Sequence, residues 1–285
     1  MFDDTSPFDS AAAPVLQRTK GAAACAFKKR GDKTVLGRLH QSGSFKVRLP
    51  RLDPGQAPEA VLLNTAGGLT GGDRLAFEGE LAEGCEAVFT TQASERAYRA
   101  LSDDARVTTR LKAGTGSTLA WLPQETILFD GARLKRTFDV DLEGDAVLIA
   151  HESVVFGRTA MGEVMNTGAF SDVWRVRRDG RLIHADALKI EEPVADTLAN
   201  AATLGNARAM ATILYAAPDA ERRLEGTRDI IDGISPAIGI AGASAWSEKL
   251  VIRAVADTGA GLRRIVEPLI TGLRGGKPMP RVWST

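Results

Sequence analysis

Residues 61–75 read Val61-Leu62-Leu63-Asn64-Thr65-Ala66-Gly67-Gly68-Leu69-Thr70-Gly71-Gly72-Asp73-Arg74-Leu75. An apolar run enters two glycine pairs, and the chain leaves them through an acid and a base. Glycine adopts positive φ angles without steric cost and lets backbone or ligand approach closely. Two such pairs so close together predict an unusual backbone path at the end of a strand.

The glycine pairs do not match the common nucleotide-binding loops. A dinucleotide fingerprint needs a helix after its glycines, whereas residues 74–79 read as another strand, and the P-loop pattern is absent. Spacing alone favours a tight turn or a bulge between strands. The residues predicted to shape the backbone are Gly67, Gly68, Gly71 and Gly72. Gly68 and Gly71 are expected to adopt conformations closed to other residues, so that alanine costs more than about 1 kcal/mol.

Apolar and polar residues alternate with a period of two on both sides of this stretch. Strands are predicted at residues 45–49, 60–63, 74–79, 86–91, 107–112, 117–122, 134–142, 145–151, 170–177, 181–190 and 246–255. Strand after strand without crossover helices argues against a doubly wound sheet and for a sandwich, a barrel or a solenoid of strands. No internal repeat of fixed length selects among these three architectures.

Two helices are predicted near the C-terminus. Pro218-Asp219-Ala220-Glu221 is a typical helix start, and this helix is expected to run to about Ile231. The second helix is marked by an apolar stripe of Leu262, Ile265, Val266, Leu269, Ile270 and Leu273, closed by Gly275-Gly276. Pro268 lies inside the stripe, removes a hydrogen bond and is expected to kink or split the helix. Residues 235–242 are predicted to form a loop, and the residues after 276 a tail.

Composition excludes several classes of protein. The chain of 285 residues has 36 basic and 36 acidic residues, so no basic field is available to hold nucleic acid or an anionic membrane. Cys25 and Cys85 are too few for a disulfide framework and are expected to be small buried hydrophobes. The acidic N-terminus does not resemble a signal peptide, and no apolar run approaches the roughly 20 residues that span a bilayer. We expect a cytoplasmic protein in which residues 1–19 form a loose arm.

Few residues are candidates for catalysis. A nucleophilic triad needs a histidine, only His40, His151 and His184 are available, and no G-x-S-x-G elbow frames a serine. Acids are numerous enough to form the carboxylate pair of a glycosidase-type hydrolase, but the sequence does not reveal which two meet. No catalytic residue is predicted, and a β-rich hydrolase with an Asp/Glu pair remains an alternative.

No high-affinity metal site is predicted, because the chain has no cluster of Cys and His with local ligand spacing. His151 and Glu152, with Met161 and Glu163 nearby, offer at most a weak and transient site. His151 follows an apolar run, which is typical of a structural histidine, and His184 has the same interpretation.

Four acids lie in apolar contexts, where burial is costly unless the carboxylate is paired or lines water. They are Asp73, Glu125, Glu152 and Glu163. One interpretation is salt bridges, with Arg74 and Arg158 as candidate partners. The other is a polar internal passage whose oxygen atoms hold a divalent ion loosely enough to release it.

Several separated motifs identify a family resemblance. They are Asn64 to Leu75, Thr90-Thr91-Gln92-Ala93, Trp121 to Ala132, His151 to Arg158, Met161-Gly162-Glu163, Trp174-Arg175-Val176 and Pro280-Arg281-Val282-Trp283. In these motifs, their order and their spacing, the chain resembles the UreD family of urease accessory proteins, called UreH in some organisms. The resemblance covers about residues 20–285, and its specificity comes from the combination, since each motif alone is weak.

The resemblance implies a fold and a function. The fold is an irregular β-helix-like stack of many short strands with two helices near the C-terminus, in a single domain of residues 20–285. The function is that of a non-catalytic scaffold and chaperone of metallocentre assembly, which helps to deliver nickel to apo-urease. The implied partners are UreF, the GTPase UreG through UreF, and the urease apoprotein, with no nucleic acid and no membrane. No cofactor is expected to bind tightly, and nickel is expected only in transit.

Roles are also expected for individual residues. Asp73, Glu125, Glu152 and Glu163 are expected to help line the passage for nickel. The stripe residues Leu262, Ile265, Leu269 and Leu273, with the helix at 218–231, are expected to contact UreF, and ordinary packing on the sheet is the alternative. A stand-alone nickel-binding protein is a further alternative function, against which the lack of a His-rich tract speaks.

Overall fold

The computed structural model describes residues 17–53, 55–158, 161–205 and 207–284, and β-strands predominate in them, as predicted. In chain order the strands are β1 (Lys20–Arg30), β2 (Lys33–Gly43), β3 (Phe45–Arg48), β4 (Glu59–Asn64), β5 (Arg74–Leu81), β6 (Glu86–Thr91), β7 (Glu95–Ala97), β8 (Ala105–Ala113), β9 (Thr118–Leu122), β10 (Thr126–Leu128), β11 (Arg133–Leu142), β12 (Val147–Phe156), β13 (Ala169–Arg178), β14 (Arg181–Ile190), β15 (Ala209–Ala216), β16 (Ile240–Trp246) and β17 (Lys249–Ala256).

The strands form two sheets. Sheet A has the order β14-β13-β11-β8-β5-β1-β2, and sheet B has the order β16-β17-β15-β12-β9-β6-β4-β3, with β10 paired to β12 and β7 paired to β10. From β4 to β13 the chain passes alternately through the two sheets, and the neighbouring strands of these passages are parallel. Each passage through both sheets is one coil of a stack, which confirms the predicted β-helix-like architecture.

The coils of the stack differ in length. In sheet A, Arg74 pairs with Arg106, Arg106 with Lys135, and Lys135 with Ser171. The number of residues per coil therefore changes from one coil to the next. This variation explains why the sequence shows no repeat of fixed length, although the coils are structurally equivalent.

The core between the sheets contains a column of aromatic rings. The ring centroid of Phe77 in β5 lies 5.3 Å from that of Phe89 in β6 and 5.8 Å from that of Trp121 in β9. Trp121 in turn lies 5.9 Å from Phe138 in β11. Each such buried side chain stabilises the fold by about 1.5–3 kcal/mol relative to an exposed one. The column joins successive coils as well as the two sheets.

The helices are α1 (Val194–Ala199), α2 (Leu224–Asp232) and α3 (Gly259–Leu273), with single 3-10 turns at Ala220–Arg223 and Arg281–Ser284. Helices α2 and α3 cover the outer face of sheet B, whereas the buried residues of α1, Val194 and Leu198, belong to the core between the sheets. The two predicted C-terminal helices are confirmed, and α1 is additional. The outer face of sheet A instead presents charged residues such as Glu78 and Arg110.

Helix α3 differs from expectation in two respects. Of the two predicted effects of Pro268, the split does not occur, since α3 is continuous and the apolar residues before and after the exposed Pro268 pack on sheet B, while the kink stays a prediction. The stripe is also not left over for a partner: Leu262, Ile265, Leu269 and Leu273 have exposures of 1%, 0%, 1% and 5%. Their burial in a second core against β12, β15 and β17 accounts for the apolar stripe.

Two C-terminal predictions are corrected. Residues 235–242 are not wholly a loop, since β16 begins at Ile240 and pairs antiparallel with β17, where one strand was predicted. The residues after 276 do not form a free tail. Trp283 is 4% exposed, and its indole Nε1 donates to the carbonyl of Leu122 at 3.1 Å. The indole satisfies a carbonyl at the end of β9 and so anchors the chain end.

The edges and the N-terminal segment complete the fold. β2 pairs antiparallel with β1, and β14 pairs antiparallel with β13, so both edges of sheet A are hairpins. Of the predicted arm, residues 1–16 lie outside the described residues, whereas the backbone N–H of Thr19 donates to Asp73 at 2.7 Å. Within the described ranges, every helix is too short or too polar to cross a membrane.

Candidate functional site

The stack has two different ends. The turn end consists of residues 82–85, 114–117, 143–146 and 179–180, which connect strands of sheet A to the next strand. The loop end consists of residues 65–73, 92–104, 123–132, 157–158 and 161–168, which lead back into sheet A. The glycine pairs lie at the loop end, so this end is where the candidate site begins.

The first glycine pair packs directly on the loop of the next coil. Gly68 has a φ of +147°, and a Cβ added there would lie 2.4 Å from the ring of Tyr98 and 2.7 Å from the carbonyl oxygen of Arg96. The neighbouring Leu69 N–H donates to that same carbonyl at 2.7 Å. Gly68 therefore needs both its conformation and its lack of a side chain, as the glycine spacing predicted.

The second pair corrects one expectation. Gly71 does not have a positive φ, so its conformation is not closed to other residues. Space is closed instead, because a Cβ at Gly71 would lie 2.3 Å from the carbonyl oxygen of Asp103. Gly67 and Gly72, with φ of +78° and +88°, are in the left-handed region. The stretch is then fastened by Asp73, which accepts hydrogen bonds from the N–H groups of Thr19 at 2.7 Å and Thr70 at 2.8 Å.

Behind these glycines a cavity of about 330 Å³ extends between the two sheets. Its apolar lining includes Phe45, Leu62, Leu75, Trp121 and Leu134, and its polar lining includes Asn64, Glu95, Thr126, Arg136 and Glu152. A cavity with apolar walls and a few convergent polar groups is the usual form of a binding site or passage.

Glu95 is the acid nearest the glycines in this cavity. Its carboxylate accepts hydrogen bonds from the side-chain amide of Asn64 at 3.1 and 3.3 Å. Burial raises the pKa of Glu95 to about 7, although the hydrogen bond from Asn64 opposes the rise. The carboxyl group therefore changes its charge near neutral pH.

The deep end of the cavity is closed by a buried ion cluster, which we call the Arg136 cluster (Arg136, Glu152 and Asp172). The Arg136 guanidinium donates to Glu152 at 2.5 Å and to both oxygens of Asp172 at 2.6 and 3.1 Å. Each carboxylate also accepts from an indole: Glu152 from Trp121 at 2.9 Å, and Asp172 from Trp174 at 3.1 Å. Burial raises the pKa of Glu152, while the Arg136 guanidinium opposes the rise.

A second, much smaller cavity of about 10 Å³ lies on the other side of this cluster. Arg136 and Glu152 line it as well, together with Asp172, Asp186 and Arg253. Asp186 and Arg253 form an ion pair whose side chains are 22% and 46% exposed. The Arg136 cluster thus lies between the large cavity and a small space that the partly exposed Asp186–Arg253 pair also lines.

The structure does not bring the four predicted passage acids together. Only Glu152 lines the large cavity, and Asp73 instead binds backbone N–H groups. Glu125 accepts from Ser94 at 2.7 Å and lies 3.4 Å from Arg263 in a surface groove. Glu163 pairs with Arg158 at 2.8 Å in an exposed loop, which was the salt-bridge alternative for these acids.

Sequence reasoning missed Glu95, Arg136 and Asp172. Arg136 lies on the inward face of β11 with Leu134, Phe138 and Val140, and Asp172 on the inward face of β13 with Phe170 and Trp174. A charge at an apolar position of an alternating strand is the signal that could have identified both residues.

The predicted weak site at His151 is not formed. Neighbours in a strand point to opposite faces, so Glu152 faces the cavity while His151 packs towards Trp283, with ring centroids 5.4 Å apart. Burial lowers the pKa of His151 to about 3, so its ring is neutral at physiological pH. No group of three or more His, Cys, Asp or Glu residues in the described part of the chain is placed to hold a metal ion. Cys25 and Cys85 are buried and unbridged, as predicted.

Comparison with known proteins identifies the family. The family model for the UreD urease accessory protein matches residues 19–284. A protein of Rhizobium etli named urease accessory protein UreD is 47% identical over 268 residues, which cover 94% of this chain and 96% of that protein. Proteins with the same name from a Methylobacterium and a Chelativorans strain are each 46% identical, over 275 and 280 residues, covering 95% and 98% of this chain and 97% and 99% of those proteins. Since the match spans nearly the whole chain, the protein belongs to the UreD family of urease accessory proteins.

Proposed function

We propose that this protein is a cytoplasmic, non-catalytic scaffold of urease maturation that gives nickel a protected interior route to apo-urease. The observation that carries the proposal is the cavity that opens at the glycine stretch and ends at the Arg136 cluster. Its acids, Glu95 and Glu152, are oxygen ligands, and among the residues that the structure describes no histidine or cysteine lines it. Oxygen ligands without imidazole or thiolate hold nickel weakly, which suits release better than storage.

The loop end also offers a surface for a partner. Exposed apolar side chains gather in its loops: Tyr98, Leu101, Met161 and Val164 are 37%, 80%, 75% and 38% exposed. Single exposed apolar residues are common, but several in neighbouring loops are typical of a protein interface. This set supports a docking surface for UreF, with UreG joining through UreF and apo-urease completing the complex.

The docking surface is connected to the mouth of the cavity. The hydroxyl of Tyr98 donates to the carbonyl of Gly67, a lining residue, at 3.2 Å. The ring of Tyr98 packs edge-on against Phe129 at 4.9 Å, and the guanidinium of Arg158 lies 4.7 Å from the Phe129 ring centroid. A partner seated on these loops would therefore cover the mouth and pass an ion directly into the interior.

This surface replaces the helix stripe as the proposed UreF contact. The stripe residues of α3 are buried against sheet B, so using them would require the second core to open. The loop-end residues are available without any rearrangement.

The docking proposal is tested with paired substitutions. Leu101→Asp combined with Met161→Asp places two charges in the surface, and we expect co-purification with UreF to fall about tenfold because interface cores exclude unpaired charge. Ile240→Asp is the matched control, since Ile240 is also exposed (70%) but lies on the edge strand β16. Normal UreF binding by the double variant, with an unchanged melting temperature, would refute docking at the loop end.

The route is tested separately. Glu152→Gln keeps the shape of the side chain but removes its charge, and we expect urease matured with this variant to contain less nickel per active site. Binding of UreF and apo-urease is expected to remain intact. If nickel loading proceeds at the normal rate with folded variant, the dependence of the route on Glu152 is wrong.

A further inference from the structure

The two interior cavities have one boundary in common. Arg136 and Glu152 line both of them, and Asp172 lines the smaller one. The boundary is therefore made of charged side chains, and it lies between the large cavity and the small space that Asp186 and Arg253 also line.

The boundary is a cation held between two anions. The Arg136 side chain is 7% exposed, and its guanidinium bridges Glu152 and Asp172. Two carboxylates face one guanidinium, so the pair of acids is not fully neutralised when both are ionised. Because a guanidinium remains protonated at any physiological pH, the position between these acids is always filled by a positive charge in this conformation.

We propose that Arg136 is a displaceable cationic plug: its guanidinium occupies the position between Glu152 and Asp172 that a divalent cation must take to pass between the two cavities. This inference rests on the proposed nickel route and adds the residue that controls it. The plug selects by charge and valence, since a divalent ion interacts with the two carboxylates more strongly than the monovalent guanidinium, whereas a monovalent ion does not.

When Arg136 is displaced, its side chain can move into the large cavity. Its side chain borders the large cavity, which has room for a guanidinium, and its third partner there, the hydroxyl of Thr126, is a neutral group at 3.3 Å. The ring of Phe170, with its centroid 5.5 Å from the guanidinium carbon, offers a cation–π contact that does not compete with the acids. Displacement thus exchanges two ion pairs for contacts that are already close.

Two tryptophan side chains can report on Glu152 and Asp172. Trp121 donates its indole N–H to Glu152, and Trp174 donates its indole N–H to Asp172. The chain has four tryptophans; of the other two, Trp246 lies in β16, and the indole N–H of Trp283 donates to the carbonyl of Leu122 rather than to an acid of the cluster. An indole-labelled NMR spectrum of the full chain therefore shows four N–H signals, two of which report on the plug, and paramagnetic Ni²⁺ broadens the signals closest to it.

The test is a titration of the purified chain with Ni²⁺ alone. In Arg136→Met the signals of Trp121 and Trp174 are expected to broaden at about tenfold lower Ni²⁺ concentration than in the unchanged protein, because the competing cation is gone. Adding Glu152→Gln to this variant is expected to reverse the gain. Arg110→Met is the matched control, since Arg110 faces Glu78 at 3.8 Å on the exposed face of sheet A.

A second variant covers the case in which Arg136→Met does not fold, since removing one partner leaves buried charge unpaired. Arg136→Lys keeps the charge, but an ammonium group cannot bridge two carboxylates as a planar fork does. Ni²⁺ is then expected to reach the acids at a concentration between those for the other two proteins. A folded variant whose Trp121 and Trp174 signals respond like those of the unchanged chain overturns the plug.

The result of the Ni²⁺ titration is independent of the tests of the proposed function. Loss of UreF binding by the loop-end variants does not depend on Arg136, and the Ni²⁺ titration needs no partner. Failure of the titration with intact loop-end results would remove only the plug, whereas failure of both the docking and nickel-loading tests would remove the proposed function.

Discussion

The turn end and the loop end of the stack join the same strands in opposite ways. At the turn end, four-residue connections repeat with glycines of similar φ: Gly84, Gly116 and Gly144 have +64°, +66° and +50°. At the loop end, the connections are longer, differ from coil to coil, expose apolar side chains and open into the cavity. The uniform turns therefore keep the coils in register, whereas the variable loops can form a binding site.

The glycines of the two ends serve different purposes. At Gly116 the nearest atoms to an added Cβ are 3.9 Å away, so only the backbone conformation requires glycine. At Gly68 the conformation and the space are both closed. A substitution experiment can therefore separate a turn from a packed site.

The largest expected effect follows from this contrast. Gly116→Ala is expected to lower the free energy of unfolding by about 1–2 kcal/mol, the cost of a left-handed conformation. Gly68→Ala is expected to cost about 2–5 kcal/mol, since overpacking adds a further 1–3 kcal/mol to the cost of the conformation. Urea unfolding curves of both variants measure the difference. Equal losses would contradict the view that the loop end is more tightly constrained than the turn end.

A medium effect concerns the pH dependence of the cavity. The pKa of Glu95 rises from an ordinary 4.5 to about 7 on folding. Between these two values the folded protein binds more protons than the unfolded chain, so the contribution of Glu95 to stability falls as pH rises through this window and levels off above it. Glu95→Gln removes the charge, and we expect it to be more stable than the unchanged protein at pH 8 by on the order of 1–3 kcal/mol.

The check is thermal or urea unfolding of both proteins at pH 5 and pH 8. The gap is expected to close towards pH 5, where Glu95 is largely protonated. Glu83→Gln at the turn end is the control for removing one carboxylate. A gap that is the same at both pH values would show that Glu95 is not buried as described.

The smallest effect compares one aspartate from each end. Asp130 at the loop end accepts hydrogen bonds from the backbone N–H groups of Asn166 and Thr167, both at 2.9 Å, and pairs with Arg99 at 2.6 Å. Asp145 at the turn end accepts one backbone bond, from Gly116 at 2.7 Å. We expect about 2 kcal/mol of lost stability for Asp130→Ala and about 1 kcal/mol for Asp145→Ala. The reverse order in urea unfolding would mean that the turns contribute more than the loops.

Local alternation was sufficient to predict many strands. β11 spans Arg133–Leu142 where residues 134–142 were predicted, and β14 spans the predicted residues 181–190, because side chains of a half-buried strand alternate between core and solvent. The stacking of coils was predicted only through the family resemblance. It depends on pairing between distant residues, and the unequal loops remove the periodic signal that would reveal it.

The site was less predictable than the fold. Glu152 was identified from its apolar context, but its partner Arg136 was passed over within a predicted strand, and the pairing of the two is a long-range contact. Asp73 shows the opposite error: its apolar context is real, yet backbone N–H groups rather than an ion satisfy it. The apolar context of a charged residue can be recognised in a single sequence. Which groups bind the buried charge depends on the fold.

The hairpins at both edges of sheet A limit how the stack can grow. A parallel stack presents unpaired N–H and C=O groups at its last strand, and a second copy of the chain could add its own strand there. Here β2 and β14 run against the stack and carry charged residues such as Lys33, Arg38 and Lys189. Edge charges of this kind oppose strand addition between molecules. The architecture that could in principle propagate into a fibre is thereby terminated at a fixed number of coils, so that sheet A of each molecule remains discrete.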